Sequence, residues 1–239
     1  MDRAPYPSSP YFSSVDGKPL PDPAQLPARY MERLLAEEFP PLFSRDQPVY
    51  VPSKDAKFVV VMSAPSDPGD HGDNAENTAR IRFAADIFGR VWAGCGVNLT
   101  AATHPMHWPR LVLNGTTEQL PGMSRVALAL GIPSELFCCI DCGPDGVGNT
   151  KTQFDVMTEH PQLGQASRLI MISSDYHGPR LARMAEGLYL PKTQIDLVLA
   201  PWATNPVDAV RLSGGEARRI IEYIAKGDLY PYPPSMLRQ

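Results

Sequence analysis

The 239-residue sequence contains no apolar run approaching the roughly 20 residues that cross a bilayer. Its start, Met1-Asp2-Arg3-Ala4-Pro5, lacks the cationic-then-apolar order of a secretory leader. Both absences predict a soluble, cytoplasmic protein with no membrane partner. A surplus of basic residues is missing too. The 22 Lys and Arg face 26 Asp and Glu, for a net charge of −4, whereas phosphate-backbone binding leaves a basic surface. No nucleic-acid partner is expected. Cysteines are few, at positions 95, 138, 139 and 142. Three of them crowd one apolar stretch, which suits reduced thiols better than a disulfide framework. There is no Gly-x-Ser-x-Gly elbow, so a hydrolytic serine is unsupported. Gly143, Gly146 and Gly148 have the wrong spacing for a phosphate loop or a dinucleotide fingerprint. No cofactor is named by these residues, and no internal repeat is visible.

What the chain has is proline, 26 of them, gathered at the two ends and in the loops. Residues 1–52 form a proline-rich arm, with one helix predicted from Pro23 to Glu38 and stopped by Pro40-Pro41. Residues 228–239 form a short tail. Between them, hydrophobic runs and amphipathic stretches alternate. Lys57–Ser63 is a continuous apolar run of the kind buried on both faces of a parallel sheet. Ile81, Ala84, Ala85 and Phe88 then fall at helical spacing, predicting a helix over 75–92 capped by Asp73 or Asn74. Further strands are read at Arg110–Leu113, Leu136–Ile140, Arg168–Ser173 and Gln194–Ala200. Helices are read from Pro121 to Gly131, from Asn149, from Leu181, and from a capping box at Ser213–Glu216. This order predicts one α/β domain over 53–227, a three-layer Rossmann-like sandwich on a five-stranded, mainly parallel sheet.

In such a sheet the ligand lies at the carboxyl ends of the strands. Those ends collect Ser63 and Ala64, then Asn114, Gly115 and Thr116, then Asp141 and Cys142, and then Ser173, Ser174, Asp175, Tyr176 and His177. His177 is the best acid/base candidate, with Asp175 placed to orient it and Ser173 or Ser174 to offer a hydroxyl. Asn149 and Thr150 open a helix, where they either bind a ligand or cap the helix. Arg180, Arg80 and Arg82 sit early in their helices, where the macrodipole disfavours a cation by a few tenths to about 1 kcal/mol. That placement points to an anionic ligand; the alternative is that each arginine pairs with an acid or faces solvent. Asp67, Asp70, His71 and Asp73 crowd one loop, but their spacing matches no known metal-ligand pattern. His104 and His107 could join Cys139 and Cys142 at a zinc ion, but Cys138 and Cys139 read better as small core residues. No metal site is assigned.

Several stretches resemble the YdcF-like family, which includes the SanA and ElyC envelope proteins. The likeness covers about residues 57–200. It rests on SSDYHGPRLARM (173–184), GNTKTQ (148–153), RLVLNG (110–115), LGIPSELF (130–137), and Arg80 or Arg82 as an early-helix arginine. The chain departs from that family where Asn114-Gly115 replaces Ser-Gly-Gly and where Gln153 replaces a frequent Asn. The resemblance implies a polar pocket built by the Asn-Thr and His-Arg segments, and one branch has been associated with S-adenosylmethionine. Three functions are compatible with all this. The first is an enzyme acting on a small anionic, nucleotide-like or phosphorylated substrate. The second is a non-catalytic module binding a nucleotide-like ligand such as S-adenosylmethionine. The third is an interaction protein that forms a homodimer through its terminal arms.

Overall fold

The computed structural model describes residues 14–15, 18–19, 50–65, 71–95, 108–143, 148–185, 193–202, 205–226 and 228–229. The helix expected over 23–38 and most of both arms lie outside these. Ser14–Val15 and Lys18–Pro19 form a two-residue antiparallel ribbon. The main sheet is built from β1 (Phe58–Met62), β2 (Arg110–Gly115), β3 (Phe137–Asp141), β4 (Arg168–Ser174) and β5 (Gln194–Ala200). The helices are α1 (Ala75–Gly94), α2 (Leu120–Ala129), α3 (Thr150–Glu159), α4 (Gly178–Met184) and α5 (Pro206–Ala225). All strand pairs are parallel, in the order β3-β2-β1-β4-β5.

The strand sequences explain why the sheet needs cover on both faces. Along β1, Val60 and Met62 point into one apolar cluster while Val59 and Val61 point into another. This is the period-2 alternation of a strand with no wet face. The Val60 side also receives Phe154 and Met157 of α3, Leu181 and Met184 of α4, and Ile220 and Ile224 of α5. Opposite them, Val59 meets Ile81, Ala84, Ile87 and Phe88 of α1, and Met123 and Ala127 of α2. Two helices on one face and three on the other make the Rossmann-like three-layer sandwich. No helix among the described residues is long and apolar enough to cross a membrane.

Several boundaries differ from the sequence reading. α5 starts at Pro206, with Asn205 as its N-cap accepting from the Asp208 amide at 2.9 Å, not at Ser213. The Ser213–Glu216 segment therefore lies mid-helix. Gly214 and Gly215 are tolerated there at about 1 kcal/mol each relative to Ala, with open space beside both. β2 extends through Asn114 and Gly115, and β4 through Ser174. Cys139 is exposed, not a core residue, because β3 is an edge strand whose outer face is left open; Cys138 is only partly buried. In the acidic loop, Asp67 and Asp70 lie outside the described residues, and Asp73 pairs with Arg125 at 2.7 Å.

Candidate functional site

Between β1 and β4 the sheet divides. The β1–β4 register runs only from Val59–Ile170 to Val61–Ile172. Past that point β1 stays with β2, where the Ser63 amide donates to the Asn114 carbonyl at 2.9 Å. β4 stays with β5 as far as Ser174–Ala200. This is the switch point at which doubly wound sheets open a crevice. A cleft of about 300 Å³ lies over it, at the small end of ligand pockets.

Five segments wall the cleft. Ser63, Ala64 and Pro65 follow β1, and Thr116 and Gln119 follow β2. Gly148, Asn149, Thr150 and Gln153 bring the amino end of α3. His177 and Arg180 follow β4, and Arg219, Glu222 and Tyr223 reach in from α5. A Cβ on Gly148 would lie 2.6 Å from Thr116 Cγ2 and 2.9 Å from Cys142 Sγ. Only glycine lets the start of α3 seat so closely on the strand ends. Asn149 then closes a capping box with Thr152: its Oδ1 accepts from the Thr152 amide at 3.1 Å, and its own amide donates to Thr152 Oγ1 at 2.9 Å. Its side chain is thus a cap, placed at the cleft wall.

Below this wall is a lattice of neutral amides. Gln153 Nε2 donates to Ser63 Oγ at 2.9 Å and to the Asn114 carbonyl at 3.1 Å, while Asn114 Nδ2 donates to the Gln153 carbonyl at 3.0 Å. Gln119 Nε2 donates to the Ala64 carbonyl at 2.9 Å, and its Oε1 accepts from the Thr116 amide at 3.2 Å. The turns after β1 and β2 are held by these bonds. Thr116 Oγ1 is buried with no hydrogen-bond partner among the described residues.

The charged wall is centred on Glu216, which is fully buried. Arg180 Nε donates to its Oε1 and Arg219 Nη1 donates to its Oε2 at 3.2 Å. His177 Nε2 lies 3.8 Å from the same carboxylate. Arg180 also stacks its guanidinium 5.4 Å from the centre of the Tyr223 ring. His177 is 3 % exposed. Ser173 Oγ lies 3.0 Å from its Nδ1 and Thr150 Oγ1 lies 3.3 Å from its Nε2. Burial, reinforced by the positive charges of Arg180, Arg80 and Arg219, holds its pKa well below the usual histidine value. Its surroundings therefore favour the neutral imidazole.

The structure brings together six of the residues expected from sequence: His177, Arg180, Asn149, Thr150, Ser63 and Thr116. The others are placed elsewhere. Asp175 does not orient His177. Its carboxylate folds back on its own turn, accepting from the Tyr176 amide at 2.8 Å and the Trp202 amide at 3.3 Å, and burial raises its pKa. Arg80 is fully buried away from the cleft wall, in an ion pair with Glu76 at 2.6 Å, and Ser174 bonds to both. Arg82 is exposed on the outer side of α1. Asn114 lies under the wall, and Gly115 packs against Met123 and Gln119. For Arg80 and Arg82 the cation placed early in a helix therefore found a carboxylate or solvent.

Glu216, Arg219, Glu222 and Tyr223 were not anticipated. One signal existed: Glu216 is an acid directly beside the apolar stripe Ala217, Ile220, Ile221 and Ile224. A charge on a buried face needs a partner. Compared with protein-family models, with curated proteins and with solved structures, the chain matches none.

Proposed function

We propose that the cleft binds a small anionic molecule, nucleotide-like or phosphorylated, and acts on it chemically. One observation carries this reading. Arg180 and Arg219 share the single carboxylate of Glu216. This cluster of two guanidinium groups and one carboxylate carries one positive charge and, with the exposed carboxylate of Glu222 on the same wall, faces the amino end of α3 across about 300 Å³ of space. Helix amino ends attract anions, and arginine forks match carboxylate and phosphate oxygens. In this reading Arg219 and Arg180 hold the anion, and Thr150 positions it. His177 exchanges a proton at Nε2, the nitrogen beside Thr150. The cleft gathers the His-Arg and Asn-Thr segments on which the YdcF-like resemblance rests, which supports proposing that affiliation as well.

A second reading, a non-catalytic module for a nucleotide-like ligand such as S-adenosylmethionine, is favoured by one feature. Both imidazole nitrogens of His177 are already engaged within the protein. A thermal-shift screen of nucleotides, sugar phosphates and S-adenosylmethionine, followed by product analysis of each hit, separates the two. A ligand at 100 times its Kd stabilises by about 2.7 kcal/mol. The anion reading expects a hit that is weakened at least tenfold in Arg219→Gln, and a hit unaffected by that change refutes it. Turnover that disappears in His177→Gln while binding persists identifies the enzyme. Binding without turnover of any hit identifies the module.

A further inference from the structure

Arg80 was expected to touch a ligand, and its actual surroundings point to a different task. The side chain rises from α1 and is fully buried. It spends its donors in three directions. Nη1 donates to the Met62 carbonyl at 2.7 Å, Nε donates to Ser174 Oγ at 2.9 Å, and Nη2 donates to Glu76 Oε1 at 2.6 Å. Glu76 Oε1 in turn accepts from Ser174 Oγ at 2.6 Å and from Tyr176 OH at 2.8 Å.

Met62 and Ser174 are the last residues of β1 and β4. The backbone ladder between these strands has already ended at Val61–Ile172. Arg80 thus spans the two strand ends where the sheet no longer joins them. The residue after Met62 is Ser63, on one wall of the cleft, and three residues after Ser174 comes His177, on another. Glu76 adds a hold on Tyr176, the immediate neighbour of His177.

We infer that Arg80 is a positioning residue that sets the separation of the β1 and β4 ends, and with it the placement of Ser63 and His177. This rests on the reading that the cleft is the functional site. Stability alone does not account for the arrangement. A buried ion pair is often no more stabilising than apolar side chains of the same volume. What the guanidinium supplies is a planar fork with donors in fixed directions, which lysine cannot reproduce. Misplacing a site by about 1 Å can cost two orders of magnitude in function.

The test uses the full chain with ¹⁵N-labelled histidine, as wild type, Arg80→Lys and Ser174→Ala, at a temperature where each is folded. The readouts are the two His177 ring-nitrogen resonances, assigned with His177→Gln, and the affinity for inorganic phosphate. Arg80→Lys keeps the charge and loses the fork. It is expected to shift both His177 resonances and to weaken phosphate binding about tenfold. A purely structural role would lower Tm and leave both readouts of the folded protein unchanged, and that result overturns the inference. Should Arg80→Lys fail to fold, Ser174→Ala removes one anchor of the three, and the same readouts decide. Wild type that ignores phosphate refutes the anion reading of the cleft, and the His177 resonances then judge the positioning role alone.

Discussion

Replacing His177 with Gln should flatten the dependence of stability on pH just below neutrality. In the folded chain the ring is buried and ringed by Arg180, Arg80 and Arg219, so its pKa sits well below the usual 6.5. Unfolding restores the ordinary value. Between the two values the unfolded chain binds a proton that the folded chain refuses, so stability falls as the pH falls. With the folded ring kept neutral, lowering the pH from about 7.5 to about 5.5 costs on the order of 1 kcal/mol through this one residue. For a domain of this size that corresponds to about 2–4 °C in Tm. The assay is denaturant or thermal unfolding of wild type and His177→Gln at both pH values. Burial lowers the pKa of His160 as well, and Asp175 is raised, but both contribute equally to the two proteins. The difference between the two pH dependences therefore isolates His177. Equal dependences would refute the account of an imidazole whose protonation is opposed by burial and by Arg180, Arg80 and Arg219.

Two further outcomes follow from local geometry. Asn149→Ala removes the N-cap of α3, which should lower stability by about 1 kcal/mol in chemical denaturation. It should leave phosphate affinity nearly unchanged, because its side-chain oxygen is committed to the Thr152 amide. Phe154→Ala empties a fully buried site under the sheet, where α3 meets the Val60 face of β1. The expected loss is about 3–5 kcal/mol in the same assay.

The fold was readable because its signals are local. A strand buried on both faces must be a short apolar run, as in Phe58–Met62 and Arg168–Ser174. A helix start favours a side-chain acceptor, and Asn74 and Asn149 supply one within three residues. Apolar runs alternating with amphipathic stretches leave few ways to bury both sheet faces. That reasoning failed where two local signals competed. Ser213–Glu216 has the form of a capping box, but Asn205-Pro206 starts the helix earlier and more strongly.

The site was only half readable. Sequence placed His177, Arg180 and Thr150 at the carboxyl edge of the sheet, because strand polarity alone determines which loops gather there. It could not assign every partner: Glu76 lies only four residues from Arg80 and Glu216 three from Arg219, but other partners are far away along the chain. Glu216 is 36 residues from Arg180, Ser174 is 94 from Arg80, and Glu76 is 100 from Tyr176. A buried charge takes the nearest opposite group that packing presents, and packing is a property of the assembled layers. The succession of elements and the edge at which their loops gather were therefore written in local patterns, whereas the order of strands across the sheet was not. Only the tertiary structure decided that Arg180 faces the cleft, that Arg80 braces the strands beneath it, and that Asp175 turns away.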